Sequence, residues 1–191
     1  MTDSIVSISE QAFFSIITTA LESYKLDHVL CDGDMGARVE TFGHLWGYSQ
    51  SLNRGGQVYR VAWADTSTAV VRDKESIVYD EDAQKLNQEF VVTFFADVSY
   101  LGDYHSHPYS KEDDGIKTEL ELERAELYKF SDADFRSVKE LQSDRGLKYR
   151  VGLVVTVFER EQQVSRSQKR LDGESCIRFQ YSGMTIWLKA Y

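Results

Sequence analysis

The pattern of hydrophobic and polar positions changes along the chain between a helical period and a strand period, which is typical of a mixed α+β domain. From residue 9 to residue 24, apolar side chains recur at three- and four-residue steps, and Ser9 can cap the predicted helix. Strand-forming residues are concentrated in shorter runs, at 39–48, 58–64, 69–72, 97–104 and 149–158. We therefore expect a single domain, residues 1–191, with a curved mixed β-sheet and helices on both faces.

Two further helices are expected from caps and periodicity. The first follows the acidic residues 80–82, which favour a helix N-terminus, and continues to about Phe95. Its apolar face consists of four side chains: Leu86, Phe90, Val91 and Phe94. The second helix begins after Ser131, a good N-cap residue, and ends near Asp144.

Polar stretches separate the predicted strands. Residues 49–56 contain glycine and are expected to form a hairpin loop, and residues 159–174 a charged connection. Closing strands are expected at 175–180 and 184–188, joined by a hairpin turn at 181–183.

The segment from Tyr109 to Phe130 fits none of the expected elements. It opens with charged residues and then mixes acidic with apolar positions; Ile116, Leu120, Leu127 and Phe130 would share one stripe in a helix. Long insertions of this kind are usually solvated surface loops, which is the interpretation we favour. The alternative is a lid or an element that guides substrate.

Composition and charge exclude several classes of function. The net charge of -9 disfavours nucleic-acid binding, because phosphates would be repelled. Cys31 and Cys176 form no Cys-x-x-Cys pattern, so neither a zinc knuckle nor a disulfide framework is indicated. The first ten residues lack the basic region of a signal peptide, and no apolar run is long enough to span a membrane. We expect a soluble, cytoplasmic protein, and the sequence leaves open whether it forms oligomers.

Two of the four histidines, His105 and His107, follow an apolar run and are separated by one residue. In an extended segment, alternate side chains point to the same face, so both imidazoles can reach one metal ion. A catalytic zinc ion needs three protein ligands and an open position for water, and a carboxylate can be the third. The other residues that could complete a catalytic metal site are Asp134 and Ser131 at a helix start, and Glu40 at a strand start.

Together, these residues resemble the JAMM motif of the MPN (Mov34/JAB1) metallopeptidase family, in which a distant glutamate precedes His-x-His-Pro and Ser-x-x-Asp. Glu40 begins Glu-Thr-Phe-Gly-His-Leu-Trp-Gly, which is similar to the family's Glu-x-x-Gly-x-Leu-x-Gly strand. The sequence His-Ser-His-Pro at 105–108 matches the second block, and Ser-Asp-Ala-Asp at 131–134 matches the third.

The resemblance implies a fold of the MPN type, with an architecture like that of cytidine deaminases, and one Zn²⁺ per chain. It implies that His105, His107 and Asp134 hold the metal, that Glu40 acts as general base and acid, and that Ser131 stabilises an oxyanion. The implied substrate is an amide or isopeptide bond after the C-terminus of a ubiquitin-like protein, or in another protein or peptide.

Several alternatives stay open. The segment between the second and third blocks is longer here than is usual in the family, so Asp113 or Asp114 remains an alternative third ligand. The same metal site would also suit a zinc hydrolase of small peptides or amino-acid conjugates. Some family members have lost their ligands and act as binding modules. A nucleoside deaminase is disfavoured, because its His-x-Glu and Pro-Cys-x-x-Cys signatures are missing.

Overall fold

The computed structural model describes residues 4–53, 55–72, 77–79, 81–145, 150–160 and 167–191. Its helices are α1 (Glu10–Lys25), α2 (Glu81–Phe94), α3 (Lys111–Asp114), α4 (Glu119–Arg124) and α5 (Asp132–Arg145). Its strands are β1 (Ser4–Ile8), β2 (His28–Val29), β3 (Met35–Gly36), β4 (Phe42–Ser51), β5 (Gln57–Ala64), β6 (Val70–Arg72), β7 (Ile77–Tyr79), β8 (Ser99–Tyr109), β9 (Val151–Glu159), β10 (Gln168–Leu171), β11 (Cys176–Tyr181) and β12 (Met184–Ala190).

One curled sheet of 8 strands organises the chain, in the order β1-β5-β4-β8-β9-β12-β11-β10. β1 pairs with β5 and β8 with β9 in parallel, whereas the other neighbours are antiparallel. β8 and β9 lie at the centre, so their side chains are covered on both faces. The expected α+β class with a mixed sheet is confirmed. Within the described residues, no helix has the length and apolar character needed to cross a bilayer.

Helix α1 covers one face of the sheet, as its periodicity predicts. Its N-terminus is capped by Ser9, whose hydroxyl accepts a hydrogen bond from the Ala12 backbone N–H at 3.1 Å. Near its other end, the buried Tyr24 hydroxyl donates to the Tyr109 carbonyl at 2.9 Å and accepts from the Glu159 N–H at 3.1 Å. These bonds attach α1 to the ends of the two central strands, and burial raises the pKa of Tyr24 to about 12.

The opposite face is covered by the segment between β8 and α5, which the sequence analysis took for a solvated insertion. That interpretation is wrong for part of the segment, because Leu122 is 0% exposed and packs with Phe158 and Trp187 of the sheet. The single helical stripe considered for the segment does not form, since Leu120 is 53% exposed and residues 115–118 separate two short helices. The first of these, α3, ends at Gly115, whose φ of 71° is typical of a helix C-terminus.

Ion pairs hold this segment against the sheet. Arg178 of β11 donates to Glu123 at 3.0 Å and to Glu119 at 3.3 Å, and Arg160 approaches Glu119 at 3.0 Å. The Trp187 indole N–H donates to Glu123 at 3.2 Å. Acidic residues that appear solvent-directed in the sequence therefore fix α4 on the sheet.

The boundaries of several elements differ from those predicted. β4 runs from Phe42 to Ser51 rather than over 39–48, so the expected hairpin loop at 49–56 is shorter. The edge strands β1 and β10 were not predicted, because short strands with polar residues lack a hydrophobic signal. Tyr149, Asp80 and residues 161–166, which belonged to predicted elements, lie outside the described residues.

Several other element predictions agree with the structure. α2, α5 and the hairpin of β11 and β12 lie where expected. Cys31 and Cys176 are both free thiols, as their separation indicates. Cys176 is buried, and burial raises its pKa to about 12.

Candidate metal centre

The two histidines lie inside β8 rather than just beyond its end, which corrects the predicted strand boundary. Leu101 is an extra residue in the pairing of β8 with β4, and the register shifts there. Gly102 follows with a φ of 150°, and a Cβ at this position would lie 1.9 Å from the Val151 carbonyl oxygen. Only glycine permits this approach, and the resulting bulge sets which face His105 and His107 occupy.

Three side chains converge on one point of this face. The Nε2 atoms of His105 and His107 are 3.1 Å apart. Asp134 Oδ1 lies 3.3 Å from His105 Nε2, and Asp134 Oδ2 lies 3.5 Å from His107 Nε2. Ligand atoms about 2.0–2.2 Å from a tetrahedral metal are about 3.3–3.6 Å from one another. The spacing therefore fits one metal ion, and this cluster of three can hold one.

Asp134 reaches the histidines from the first turn of α5, where the cap fixes its carboxylate. Oδ2 accepts hydrogen bonds from the Ser131 N–H at 2.6 Å and from the Ser131 hydroxyl at 2.8 Å. Burial favours the neutral acid, but the neighbouring His105 and His107 imidazoles outweigh it and hold the pKa of Asp134 well below its usual range. The carboxylate is therefore ionised, as a metal ligand must be.

His107 is oriented by the segment between β8 and α5, which the sequence analysis took for a solvated insertion. Its Nδ1 lies 3.3 Å from the Leu127 carbonyl oxygen, which can only accept, so Nδ1 carries the proton and Nε2 presents its lone pair to the cluster. Such support from the outer shell is typical of metal-bound histidines. Because any residue type supplies a carbonyl, the sequence contains no signal for the role of Leu127.

Burial and charge affect the two imidazoles differently. Burial lowers the pKa of His107 below its ordinary value, and the neighbouring His105 adds to this effect. Burial also opposes the charged form of His105, but the hydrogen bond and charge of Asp134, with the charges of Glu40 and Asp103, raise its pKa. The two imidazoles of the cluster therefore differ, with the pKa of His105 raised and that of His107 lowered.

Glu40 lies just before β4, next to the histidine pair. The Thr41 N–H donates to the Ser106 hydroxyl at 2.9 Å, and the Ser106 N–H donates to the Thr41 carbonyl at 3.0 Å. β4 pairs Phe42 with His105, so continuing this antiparallel register places Glu40 beside His107, on the same face. Ser106, between the two histidines, therefore fixes the backbone that carries Glu40.

The two glycines after Glu40 are required by close backbone contacts. A Cβ at Gly43 would lie 1.9 Å from the Asp65 carbonyl oxygen, and one at Gly47 would lie 1.9 Å from the Arg60 carbonyl oxygen. The register of β4 with β5 also shifts between Trp46 and Gly47. Neither position can therefore accept a larger residue without a shift of the backbone.

The alternative third ligands are engaged elsewhere. The Asp113 carboxylate accepts from Arg38 Nε at 2.6 Å and from the Ser110 hydroxyl at 3.1 Å. The Asp114 carboxylate accepts from the Ser110 N–H at 2.7 Å. Both acids belong to the N-terminal turn of α3, whereas Asp134 contacts both histidines, so the geometry favours Asp134.

His44 is a buried structural residue. Its Nδ1 lies 3.0 Å from Asp65 Oδ1, and the Trp46 indole donates to Asp65 Oδ2 at 2.8 Å. Burial would raise the pKa of Asp65, but the hydrogen bonds from His44 and Trp46 lower it below the usual value. The partner Asp65 was not identified from the sequence, because a lone aspartate after a strand has no distinguishing pattern.

Comparison with known proteins adds no family to this geometry. No protein-family model matches the chain, and no curated protein matches it. The function is therefore argued from the site.

The contact between Leu127 and His107 leads to a testable expectation. The Leu127 N–H bonds to the Leu122 carbonyl at 3.1 Å, so shortening the buried Leu122 side chain should loosen this turn. We expect Leu122→Ala to destabilise the metal-free protein by about 2–5 kcal/mol. It should also weaken metal affinity by about 10-fold, because the outer-shell carbonyl becomes mobile.

Denaturant unfolding and competitive metal titration measure the two effects. Leu120→Ala is the matched control, since Leu120 lies in the same helix but is 53% exposed. A Leu122→Ala variant that loses stability and keeps full metal affinity would show that the segment is only a structural cover.

Proposed function

We propose that this protein is a zinc-dependent peptidase of the JAMM type, which cleaves amide bonds after the C-terminus of a ubiquitin-like protein. The observation that carries the proposal is the triangle of His105 Nε2, His107 Nε2 and the Asp134 carboxylate, with edges of 3.1–3.5 Å. Two imidazoles and one carboxylate are the ligand set of many catalytic zinc sites, which keep the fourth position open.

The chain's own residues supply the remaining chemistry. Zinc bound at this site would act as a Lewis acid and lower the pKa of water at the open position. Glu40 would take a proton from the attacking water as the water oxygen adds to the substrate carbonyl carbon, and would then pass the proton to the amine nitrogen as the C–N bond breaks. The reaction consumes one water and releases a carboxylate and an amine.

Ser131 has two roles in this proposal. In the unliganded protein its hydroxyl donates to Asp134 at 2.8 Å, which orients the third ligand. With a metal held by the cluster, the Ser131 hydroxyl would be placed to donate to the oxyanion that forms on the substrate carbonyl. The Ser131 backbone N–H, at 2.6 Å from Asp134, would still hold the carboxylate in place.

The substrate class rests on the resemblance of three ordered sequence blocks to the JAMM motif. Two probes test it with zinc-loaded protein: ubiquitin joined through its C-terminus to a fluorescent lysine side chain, and a Gly-Gly dipeptide joined to the same lysine. We expect the ubiquitin probe to be cleaved with a kcat/KM about 100-fold higher, because protein contacts outside the site contribute binding energy.

Three results would contradict parts of the proposal. Equal rates on both probes would indicate a hydrolase of small peptide conjugates. Cleavage that persists after the metal is removed by a chelator would exclude the metal mechanism. Stable zinc binding without cleavage of either probe would indicate a binding module.

A further inference from the structure

Helix α2 carries an exposed row of large apolar side chains. Leu86, Phe90 and Phe94 follow one another at intervals of four residues and are 67%, 57% and 67% exposed. Residues four apart lie above one another on a helix, so these side chains form one continuous ridge. Such a row normally faces the core, and the sequence analysis identified it as the apolar face of the helix.

The ridge is exposed because α2 is attached to the domain by an adjacent, more polar face. Gln84 is buried, and the Asn87 amide donates to Asp65 at 3.4 Å. The aromatic surface extends beyond the helix, since the ring centroids of Phe95 and Trp63 are 5.8 Å apart and those of Trp63 and Tyr48 are 6.3 Å apart. The ridge and these rings form one apolar strip.

We propose that this strip is the interface of a twofold-symmetric dimer, in which α2 packs antiparallel against α2 of a second copy. An antiparallel pair of identical helices must present the same surface twice. The ridge meets this requirement with Phe90 at its centre, since Leu86 of one copy then faces the partner's Phe94, and Phe90 faces the partner's Phe90. Each end of the contact therefore pairs the leucine of one copy with a phenylalanine of the other.

The exposed area is sufficient for a specific contact. Phe95 is 44% exposed, and the exposures of the three ridge side chains are given above. Together these four side chains expose a large apolar surface. With about 200 Å² for a fully exposed large side chain, they offer about 470 Å² per copy, or about 940 Å² in a dimer. Trp63 and Tyr48 bring the total above the roughly 1,000 Å² that a specific interface requires.

Charge makes this strip the surface at which two copies can approach with the least repulsion. Two copies with a net charge of -9 each repel one another over most of their surfaces. The side chains that define the strip include no ionisable group except the Tyr48 phenol. Asp82, one turn before Leu86 on the same row, pairs with Lys85 of the same helix at 3.3 Å.

Sedimentation velocity tests the dimer at about 50 μM, because interfaces near this size give micromolar dissociation constants. We expect the wild type to sediment as a species of twice 22.0 kDa. Phe90→Asp should raise the dissociation constant by about 30-fold or more, since it places two carboxylates at the centre of the contact. Phe14→Asp is the matched control: Phe14 is 67% exposed on α1 and should leave the dimer intact.

A cross-linking experiment distinguishes this symmetry from other contacts. In a Cys31→Ser background, Phe90→Cys should form a disulfide with its own copy, because only the residue on the twofold axis meets itself. Leu86→Cys and Phe94→Cys should cross-link when mixed and not alone. A monomeric wild type, or a dimer that Phe90→Asp leaves unchanged, would overturn the proposal.

Discussion

Protein purified with zinc and then dialysed is expected to retain about one zinc ion per chain, and His107→Ala and Asp134→Ala are expected to lose it. Each variant removes one corner of the donor triangle, whose edges are 3.1–3.5 Å. We expect affinity to fall by about 100-fold or more, since even the outer-shell partners of ligands are worth about 10- to 100-fold. Elemental analysis and competition with a coloured chelator measure content and affinity.

Asp114→Asn is the matched control for Asp134→Ala. Asp114 is also an acid in the first turn of a helix after a serine cap, but it bonds to the Ser110 N–H rather than to the histidines. Full zinc binding by Asp134→Ala, with loss in Asp114→Asn, would move the third ligand into the segment between β8 and α5. Circular dichroism of each variant separates loss of a ligand from loss of the fold.

The main elements could be predicted because each has a local cause. The spacing of apolar residues after Ser9 predicts α1, and a buried apolar run predicts β9. The convergence of His105 and His107 follows from strand alternation alone, whatever surrounds them. These features depend on residues close together in sequence.

The features that were missed depend on contacts between distant parts of the chain. Leu122 is buried because Trp187 and Phe158 lie opposite it, and Glu119 is held by Arg178 and Arg160. No periodicity within the segment itself distinguishes these partners from solvent. The contribution of the Leu127 carbonyl to His107 is invisible for the same reason.

α2 shows the converse case, in which a correct helix prediction gave no information about burial. Its hydrophobic face was identified correctly, and yet Leu86 and Phe94 are each 67% exposed. Amphipathic spacing identifies the apolar face of a helix. It does not show whether that face packs against the same chain or against another one. This distinction leads to the proposed dimer.

Glu40→Gln is expected to lower kcat on the ubiquitin probe by about 100- to 10,000-fold while leaving the zinc content unchanged. The amide keeps the size of the side chain but cannot take a proton from water or return one to the leaving amine. The carboxylate does not belong to the donor cluster formed by His105, His107 and Asp134, so metal binding does not require it. Single-turnover kinetics and elemental analysis on the same samples measure both quantities.

Glu22→Gln, on the surface of α1, is a control for a general effect of removing one negative charge. Charge removal alone should change kcat by less than about twofold, because exposed charges beyond a Debye length are screened. If Glu40→Gln instead lost zinc, Glu40 would be a ligand and the proton transfers would need another group. If it kept both zinc and full activity, the general-base assignment would be wrong, although the metal site would stand.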